Sequence, residues 1–314
     1  MSPSHEHVWS GSRVFSGASL ELWFFVVLVD LRLPAAREGL LTLHRADRIP
    51  LVDVHFHRHA ELEINVVLAG RAHYLLEGRR FDVAAGDLVF LHPGQEHCLA
   101  EQDAHFRMWV LVFRPPLVAA LATALGDAGL AADDPPGHLL RTPGTRWARD
   151  FDRLAQAVAA SASDAAANRG LAFLLGHARE AFATAPVRAD RRLHPAVMRA
   201  LDLLRDEDDP GTLAAIAERV GLSPGRLSRR FAADVGLPLA TVRNRLRMLR
   251  FIDAYGDGGE CTLTEAAFAA GFQSYAQFYT MCRRILGLTP RAFARQRAQG
   301  LLGDEVVRQV EHRW

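Results

Sequence analysis

Two stretches in the C-terminal third of the chain are one device written twice. Leu213 to Gly236 reads LAAIAERVGLSPGRLSRRFAADVG, and Leu263 to Gly287 reads LTEAAFAAGFQSYAQFYTMCRRILG. Each holds a short apolar helix that ends at a glycine, a tight turn, and a longer helix with polar outer positions. Leu213, Ala217 and Gly221 align with Leu263, Ala267 and Gly271 at a spacing of fifty. Phe231 and Gly236 align with Cys282 and Gly287 at fifty-one, which puts the extra residue in the second turn. A helix, a glycine turn and a second helix form the unit that lays a recognition helix in a DNA major groove.

Helix start signals agree with this reading. Thr212 and Thr262 stand at N-cap positions, and Glu265 follows Thr262 at capping-box spacing. Ser223 with Pro224 is a cap and first-turn pair, and Ser274 takes the capping position of the second recognition helix. In the first recognition helix Leu227 and Phe231 face the core, leaving Arg226, Ser228, Arg229 and Arg230 on outer or flanking faces. In the second, Phe278 is the inward anchor and Tyr275, Ala276, Gln277 and Thr280 face out. Arginine binds guanine O6 and N7 together, glutamine pairs with adenine, and small methyls touch thymine, each good contact discriminating by roughly 1–3 kcal/mol. Between the units Leu239, Val242, Leu246, Leu249 and Ile252 form a helical stripe, so a rigid helix is expected to fix their spacing. Seven arginines and one acid, Asp234, lie between Arg226 and Arg250. Of these, Arg230 is expected on the DNA backbone, while Arg243, Arg247 and Arg250 contact phosphate or brace the helix.

At 314 residues the chain is long for a single core, so two domains are expected. Its net charge of +1 excludes no class of partner, and the absence of lysine reads mostly as compositional bias, although arginine is also the better bidentate donor. Cys98, Cys261 and Cys282 have neither a disulfide framework nor zinc spacing. The start MSPSHEHVWSGSRV lacks the basic and apolar parts of a secretory signal, and the apolar run Leu22 to Leu31 is too short to span a bilayer. A cytoplasmic protein without membrane partners is the expectation.

From about Leu40 to Phe113 short apolar stretches such as EINVVLAG, AHYLLEG and RMWVLVF alternate with turn residues, the rhythm of a small β-barrel or sandwich. Past Pro116 the period changes to helical. Ala119 to Leu125 is one expected helix. Trp147, Phe151, Leu154 and Val158 stripe a second, and Leu171, Leu174, Leu175, Ala178 and Phe182 stripe a third. These stripes either pack on the barrel or offer a dimer seam. A linker rich in proline and charge follows at Thr184 to Pro195, then a helix and an acidic loop, Asp206 to Pro210.

The second unit and its tail, AAFAAGFQSYAQFYTMCRRILGLTPRAF, resemble the second helix-turn-helix of the AraC/XylS transcription regulators, through Gly271, Phe272, Ser274, Phe278, Gly287, Thr289, Pro290 and Phe293. The first unit matches through Leu227, Ser228, Arg229, Phe231 and Gly236, so the resemblance covers residues 195 to 297. It implies base-facing roles for Arg226, Ser228 and Arg229 in the first helix and for Tyr275, Ala276, Gln277 and Thr280 in the second. Thr280 stands where the family often has arginine and Cys282 where a core phenylalanine is common, and Gly225 has no side chain to offer. The first unit should therefore anchor the protein on DNA while the second refines the choice of site.

HFHRHAELEINVVLAG carries His57, His59, Glu63 and Gly70 as H-x-H-x3-E-x6-G, and GDLVFLHPGQEH carries Gly86, Pro93, Gly94 and His97. Together these resemble the two motifs of the cupin barrel, the usual effector domain of AraC-type regulators. Strand alternation puts His57 and His59 on one face, and barrel closure would bring Glu63 and His97 to the same interior point. Three imidazoles and a carboxylate suit zinc, iron, manganese or nickel. The same residues equally suit the polar lining of a sensor without metal, which is favoured because the attached domain already supplies a function. His55 and His92 read as loop or outward histidines, and Arg71, His73 and Trp109 as candidates for the barrel mouth.

The expected fold class is α+β. It comprises a cupin-like sensor over 1–115, a helical dimerisation segment and linker over 116–194, an AraC-type DNA-binding domain over 195–297, and a tail over 298–314. The expected function is sequence-specific transcription regulation by a homodimer that binds double-stranded DNA and a small-molecule effector, with RNA polymerase a further partner to test. No catalytic residue and no required cofactor are assigned. The rival readings are a metal-dependent cupin enzyme with a fused regulatory tail and a sequence-tolerant nucleoid-type binder.

Overall fold

The central strands of the N-terminal half, LEINVVLA, LVFL and RMWVLVF, are buried on both faces because their sheet is covered on both sides. In the computed structural model residues 27–28, 33–46, 56–132, 139–206, 211–256 and 261–299 are described. The strands are β1 Val27–Leu28, β2 Gly39–Arg45, β3 His57–Arg58, β4 Leu62–Ala69, β5 Arg71–Leu76, β6 Arg79–Ala84, β7 Leu88–Leu91, β8 His97–Gln102, β9 Arg107–Phe113, β10 Leu140–Arg141 and β11 Arg191–Arg192. They form two sheets, in the orders β1-β3-β8-β5-β6-β11 and β10-β7-β4-β9-β2. Tyr74, Phe81, Val83 and Leu99 of the first sheet meet Val67, Val89, Val110 and Val112 of the second in the barrel interior. Alternate residues point the other way. Leu62, Ile64 and Val66 of β4, with Trp109, Leu111 and Phe113 of β9, face the helices α1 Pro115–Leu125, α2 Thr145–Ala159 and α3 Asp164–Thr184.

That packing settles the use of the two helical stripes. Phe151 of α2 and Leu171, Leu174, Leu175 and Ala178 of α3 are fully enclosed against β4, β7 and β9, with Trp147, Leu154 and Val158 partly so. The stripes are therefore barrel-facing and are not exposed as a seam between subunits. The segment 116–194, read from sequence as helix and linker, also supplies two short strands. Arg191 and Arg192 pair antiparallel with Arg80 and Arg79, a like-charge crossing made tolerable by Asp190 at 2.5 Å from Arg79 and Asp82 at 2.6 Å from Arg80.

Gly70 shows why the barrel motif requires glycine at that place. Its φ is +75°, and a Cβ there would lie 2.5 Å from Phe106 Cα and 2.6 Å from Phe106 N, which are backbone atoms that cannot swing aside. Gly70→Ala should therefore destabilise the barrel by more than about 1 kcal/mol. A urea midpoint unchanged from wild type would remove this account.

The C-terminal domain is all helix: α4 Pro195–Asp206, α5 Leu213–Arg219, α6 Pro224–Val235, α7 Leu239–Tyr255, α8 Leu263–Ala269, α9 Tyr275–Leu286 and α10 Pro290–Ala298. Thr212 accepts from Ala215 N–H, and Thr262 forms the full capping box with Glu265. Ser274 accepts from Gln277 N–H, whereas Ser223 makes no side-chain cap bond, leaving Pro224 alone to set the first turn of α6. The long helix α7 belongs to both units. Leu239 and Val242 enter the core built by α4, α5 and α6, while Met248, Phe251 and Ile252 enter the core of α8, α9 and α10.

The first of those cores continues into the barrel. Leu75, Cys98 and Ala100, on the outer face of β5 and β8, pack with Val197, Leu201, Leu227 and Phe231 in one cluster. No described helix is long and apolar enough to cross a membrane. The N-terminal segment apart from β1, His55, the acidic loop beyond Asp206 and the tail beyond Gln299 lie outside the described residues.

Candidate functional site

The two recognition helices present unequal faces. On α6 Leu227, Phe231 and Val235 are buried, Arg226, Arg229 and Arg230 are exposed, and Ser228 is half-buried. On α9 Phe278, Cys282, Ile285 and Leu286 are buried, while Tyr275, Ala276 and Thr280 are exposed and Gln277 is half-buried. Gln277 Oε1 accepts the Gln273 backbone N–H at 3.0 Å. One lone pair of that oxygen is thus committed to the turn, which fixes the carboxamide and leaves its second lone pair and its N–H donors for a base. The Tyr275 ring stands edge-on to Phe278 at 5.7 Å, which pins it at the helix start. Tyr279, 40% exposed, and Arg283 and Arg284 also face out, and the sequence reading passed over all three. The spacing of fifty-one between helices already pairs Tyr279 with Ser228, so that signal was present.

The arginines of α7 are largely turned inward. Arg243 donates to Gly211 O at 3.1 Å, and Arg250 donates to Leu204 O at 2.8 Å and Arg205 O at 3.0 Å. Arg247 is 3% exposed. Of the two roles left open by the sequence, these geometries are those of braces. Carbonyls at the C-terminal end of α4 and beyond it are natural acceptors for guanidinium groups. Arg230 Nε holds Asp234 at 3.0 Å, and Asp234 in turn accepts His194 N–H at 2.9 Å at the start of α4.

Inside the barrel the two sequence motifs converge. His57 from β3, His59 just beyond it and His97 from β8 place one ring nitrogen each within 4.8 Å of the others, all three side chains buried. Glu63 from β4 sets Oε2 at 3.2 Å from His59 Nε2 and 3.8 Å from His97 Nε2. Backbone carbonyls orient the rings: His59 Nδ1 lies 3.1 Å from Glu61 O, and His97 Nδ1 lies 2.9 Å from Gln95 O. A carbonyl can only accept, so each Nδ1 is the donor in these contacts, and both Nε2 atoms are turned toward the Glu63 carboxylate. Asn65 Nδ2 donates to Glu63 Oε1 at 2.6 Å and fixes the carboxylate. Burial pushes the His97 imidazole down to about 4, partly countered by Glu63, so the ring is neutral at physiological pH. Burial alone would raise the Glu63 carboxyl. The His59 hydrogen bond and the neighbouring imidazoles outweigh it and hold the acid below its ordinary value. The result is a buried carboxylate with three imidazole nitrogens gathered beside it, a donor set of the kind that holds a transition-metal ion.

The other barrel candidates lie elsewhere. Trp109 Nε1 donates to Asp152 of α2 at 2.7 Å, and Arg71 is exposed at the start of β5. His73 sits on the outer face near Asp82 and Arg80. None of the three lines the interior, because strand register assigns them to the other face. His92 is in a loop, as read, but is buried, with Nδ1 3.1 Å from Ala132 O.

The barrel site and the first DNA-reading unit share a strand. On β8 His97 faces the site, while Cys98 and Ala100 face α4 and α6. Next to His97, Glu96 forms an ion pair with Arg205 of α4, whose guanidinium lies 4.7 Å over the Phe56 ring. The C-terminal end of α6 is held from the barrel side too. Arg80 donates to Ala233 O at 3.0 Å and Asp234 O at 3.3 Å, and Arg191 donates to Ala233 O at 2.6 Å. These bonds satisfy carbonyls that the helix leaves open.

Paired recognition helices joined through a shared helix, docked on a barrel that encloses a buried polar cluster, define a DNA-binding transcription regulator with an N-terminal ligand-binding domain. The description "AraC-like ligand binding domain" matches residues 44–175, and "Helix-turn-helix domain" matches residues 216–296. The chain belongs to the AraC/XylS family of regulators. It is 24% identical over 260 residues to the HTH-type transcriptional activator RhaS of Escherichia fergusonii, covering 78% of this chain and 89% of that one. It is 31% identical over 106 residues to the regulatory protein Ada of Salmonella typhimurium, covering 34% of this chain and 29% of that one. Among solved structures it is similar to ToxT of Vibrio cholerae, at 13% identity over 82% of this chain and 98% of that chain, with a TM-score of 0.33.

Proposed function

We propose that the barrel senses a divalent transition metal held by His57, His59 and His97, with Glu63 as the charged member of the set. We propose further that this occupancy sets the DNA affinity of the docked helix-turn-helix units. The observation that carries the reading is the convergence of three buried imidazole nitrogens, within 4.8 Å of one another, beside the buried Glu63 carboxylate, which is a donor set suited to a first-row transition metal. Bound there, the metal would act as a structural or regulatory ion; no catalytic role is assigned to the barrel. Displacement of β8 on binding would be felt by Cys98 and Ala100, and the Glu96–Arg205 pair would carry it to α4. A ligand biases two arrangements only by its differential affinity for them, so the metal must bind one docking state better than the other.

DNA reading is assigned to Arg226, Ser228 and Arg229 of α6 and to Tyr275, Ala276, Gln277, Tyr279 and Thr280 of α9, with Arg230 toward the backbone. The two helices would enter successive major grooves about one turn, or ~34 Å, apart. The protein is taken to work in the cytoplasm as a homodimer, with RNA polymerase as a downstream partner. The barrel-facing stripes leave the opposite face of α3 for the dimer, where Phe173 is 56% exposed beside Leu125 of α1 at 52%.

Metal analysis of the purified protein, followed by thermal shift with zinc, nickel and manganese, tests the sensor. At a hundred-fold excess over Kd a bound metal should add about 2.7 kcal/mol of stability. His57→Ala and His97→Ala should abolish that gain, and gel shifts on the chain's own upstream DNA should change with metal for wild type alone. Failure of every metal to bind would hand the same residues to an organic effector as a polar lining. Turnover of a small substrate that depends on His97 would favour the enzyme reading instead.

A further inference from the structure

With Arg243, Arg247 and Arg250 used as braces, a backbone contact at the junction of the two units needs another donor. A cavity of about 100 Å³ opens where α7 crosses α9. Thr241, Asn244 and Arg245 of α7 and Met281, Arg284 and Ile285 of α9 line it. Two guanidinium groups, a hydroxyl and a carboxamide thus converge over an apolar floor, and no acid is among the lining residues. Arg284 is exposed and has no ion-pair partner among the described residues. It lies four residues after Thr280 and eight after Ala276, so it continues the outward stripe of α9 by one turn away from the bases. A second observation points the same way. Asn244 Oδ1 is enclosed with no hydrogen-bond partner. Its carboxamide lines the cavity, so movement of the side chain toward the opening would give it a partner.

We propose that this α7–α9 cavity seats one backbone phosphate of the duplex, on the strand that runs between the two contacted major grooves, with Arg284 as its principal donor and Asn244 and Thr241 as hydrogen-bonding partners. The assignment rests on the DNA-binding reading above. It goes beyond it by giving the junction between the units its own contact, so that both recognition helices are referenced to one fixed phosphate. Phosphate contacts of this kind set register and orientation without reading sequence.

The test is a salt titration of operator affinity for full-length wild type, Arg284→Ala and Arg284→Lys, on the upstream operator and on single-base variants of it. Arg284→Ala should weaken all sequences by the same factor and reduce the slope of log K against log salt by about 1, while Arg284→Lys should restore most of the slope. Replacing single phosphates between the grooves by neutral methylphosphonates should weaken wild type at one position and leave Arg284→Ala unaffected there. A loss confined to particular base pairs, or a slope equal to wild type, would overturn the proposal, as would equal sensitivity of both proteins to every methylphosphonate. If inorganic phosphate raises the melting temperature through Arg284 while the DNA slope is unchanged, the cavity is a free-anion site and the proposal also fails. Wild type that binds all sequences alike would instead defeat the regulator reading, so the two failures are distinguishable. Circular dichroism of each variant controls for folding.

Discussion

Phe251→Ala should unfold the second helix-turn-helix while the first stays formed. The Phe251 ring is fully buried and packs 4.4 Å from Phe278, 5.4 Å from Phe293 and 5.8 Å from Tyr255, centroid to centroid. It therefore joins α7, α9 and α10 at one point. Truncating such a ring costs about 3–5 kcal/mol, a large share of what a three-helix unit of this size can hold. The effect should stay local because the two units have separate cores: Leu239 and Val242 of α7 lie in the first and Met248, Phe251 and Ile252 in the second. Hydrogen exchange should show lost protection over 263–298 and retained protection over 195–242. DNA binding should weaken, with discrimination lost only at the positions read by α9. Cooperative loss of both units would show that α7 transmits unfolding and that the cores are not independent.

Joint replacement of Arg226 and Arg229 by alanine should remove specific binding. Both side chains are exposed on the outward face of α6, and neither has an ion-pair partner among the described residues. A guanine contact of this kind is worth about 1–3 kcal/mol, so two that act independently remove about 2–6 kcal/mol, a loss of roughly thirty-fold or more. Fold should be untouched, since Leu227, Phe231 and Val235 supply the buried side of the helix. Arg230 is the contrasting control. It is tied to Asp234, which anchors the start of α4, so Arg230→Ala should disturb the docking of α4 as well as DNA affinity. Base-by-base discrimination that survives the Arg226/Arg229 double change would falsify the placement of α6 in the groove.

Much of the DNA-binding domain was legible because its signals are local. Glycine turns, caps and i, i+4 apolar pairs mark helices wherever the chain is placed, and Leu227, Phe231 and Phe278 face inward as their spacing requires. The meeting of His57, His59, Glu63 and His97 was legible from motif spacing, since alternation and closure leave few other places for them. Long polar side chains were not legible. Arg243, Arg247 and Arg250 look identical in sequence to phosphate contacts, and only the packing of α7 against α4 turns them toward carbonyls and the interior. Gln277 is a similar case, its side-chain oxygen held by a turn amide whose position depends on the loop. Trp109 and His73 were misplaced for want of strand register, which moves every side chain to the other face with a one-residue shift.

The duplicated motif thus determined on its own that the chain carries two recognition helices with unequal chemistry, because helix periodicity and capping act over a few residues. What the apolar stripes face was decided only in three dimensions. A periodic stripe records that one side is dry, and it cannot record what dries it. The stripes of α2 and α3 close on β4 and β9, and the outer residues of β5 and β8 close on α4 and α6. Through that second contact the barrel site and the first recognition helix share a strand, a relation that arises from pairings far apart in the chain and has no local signature.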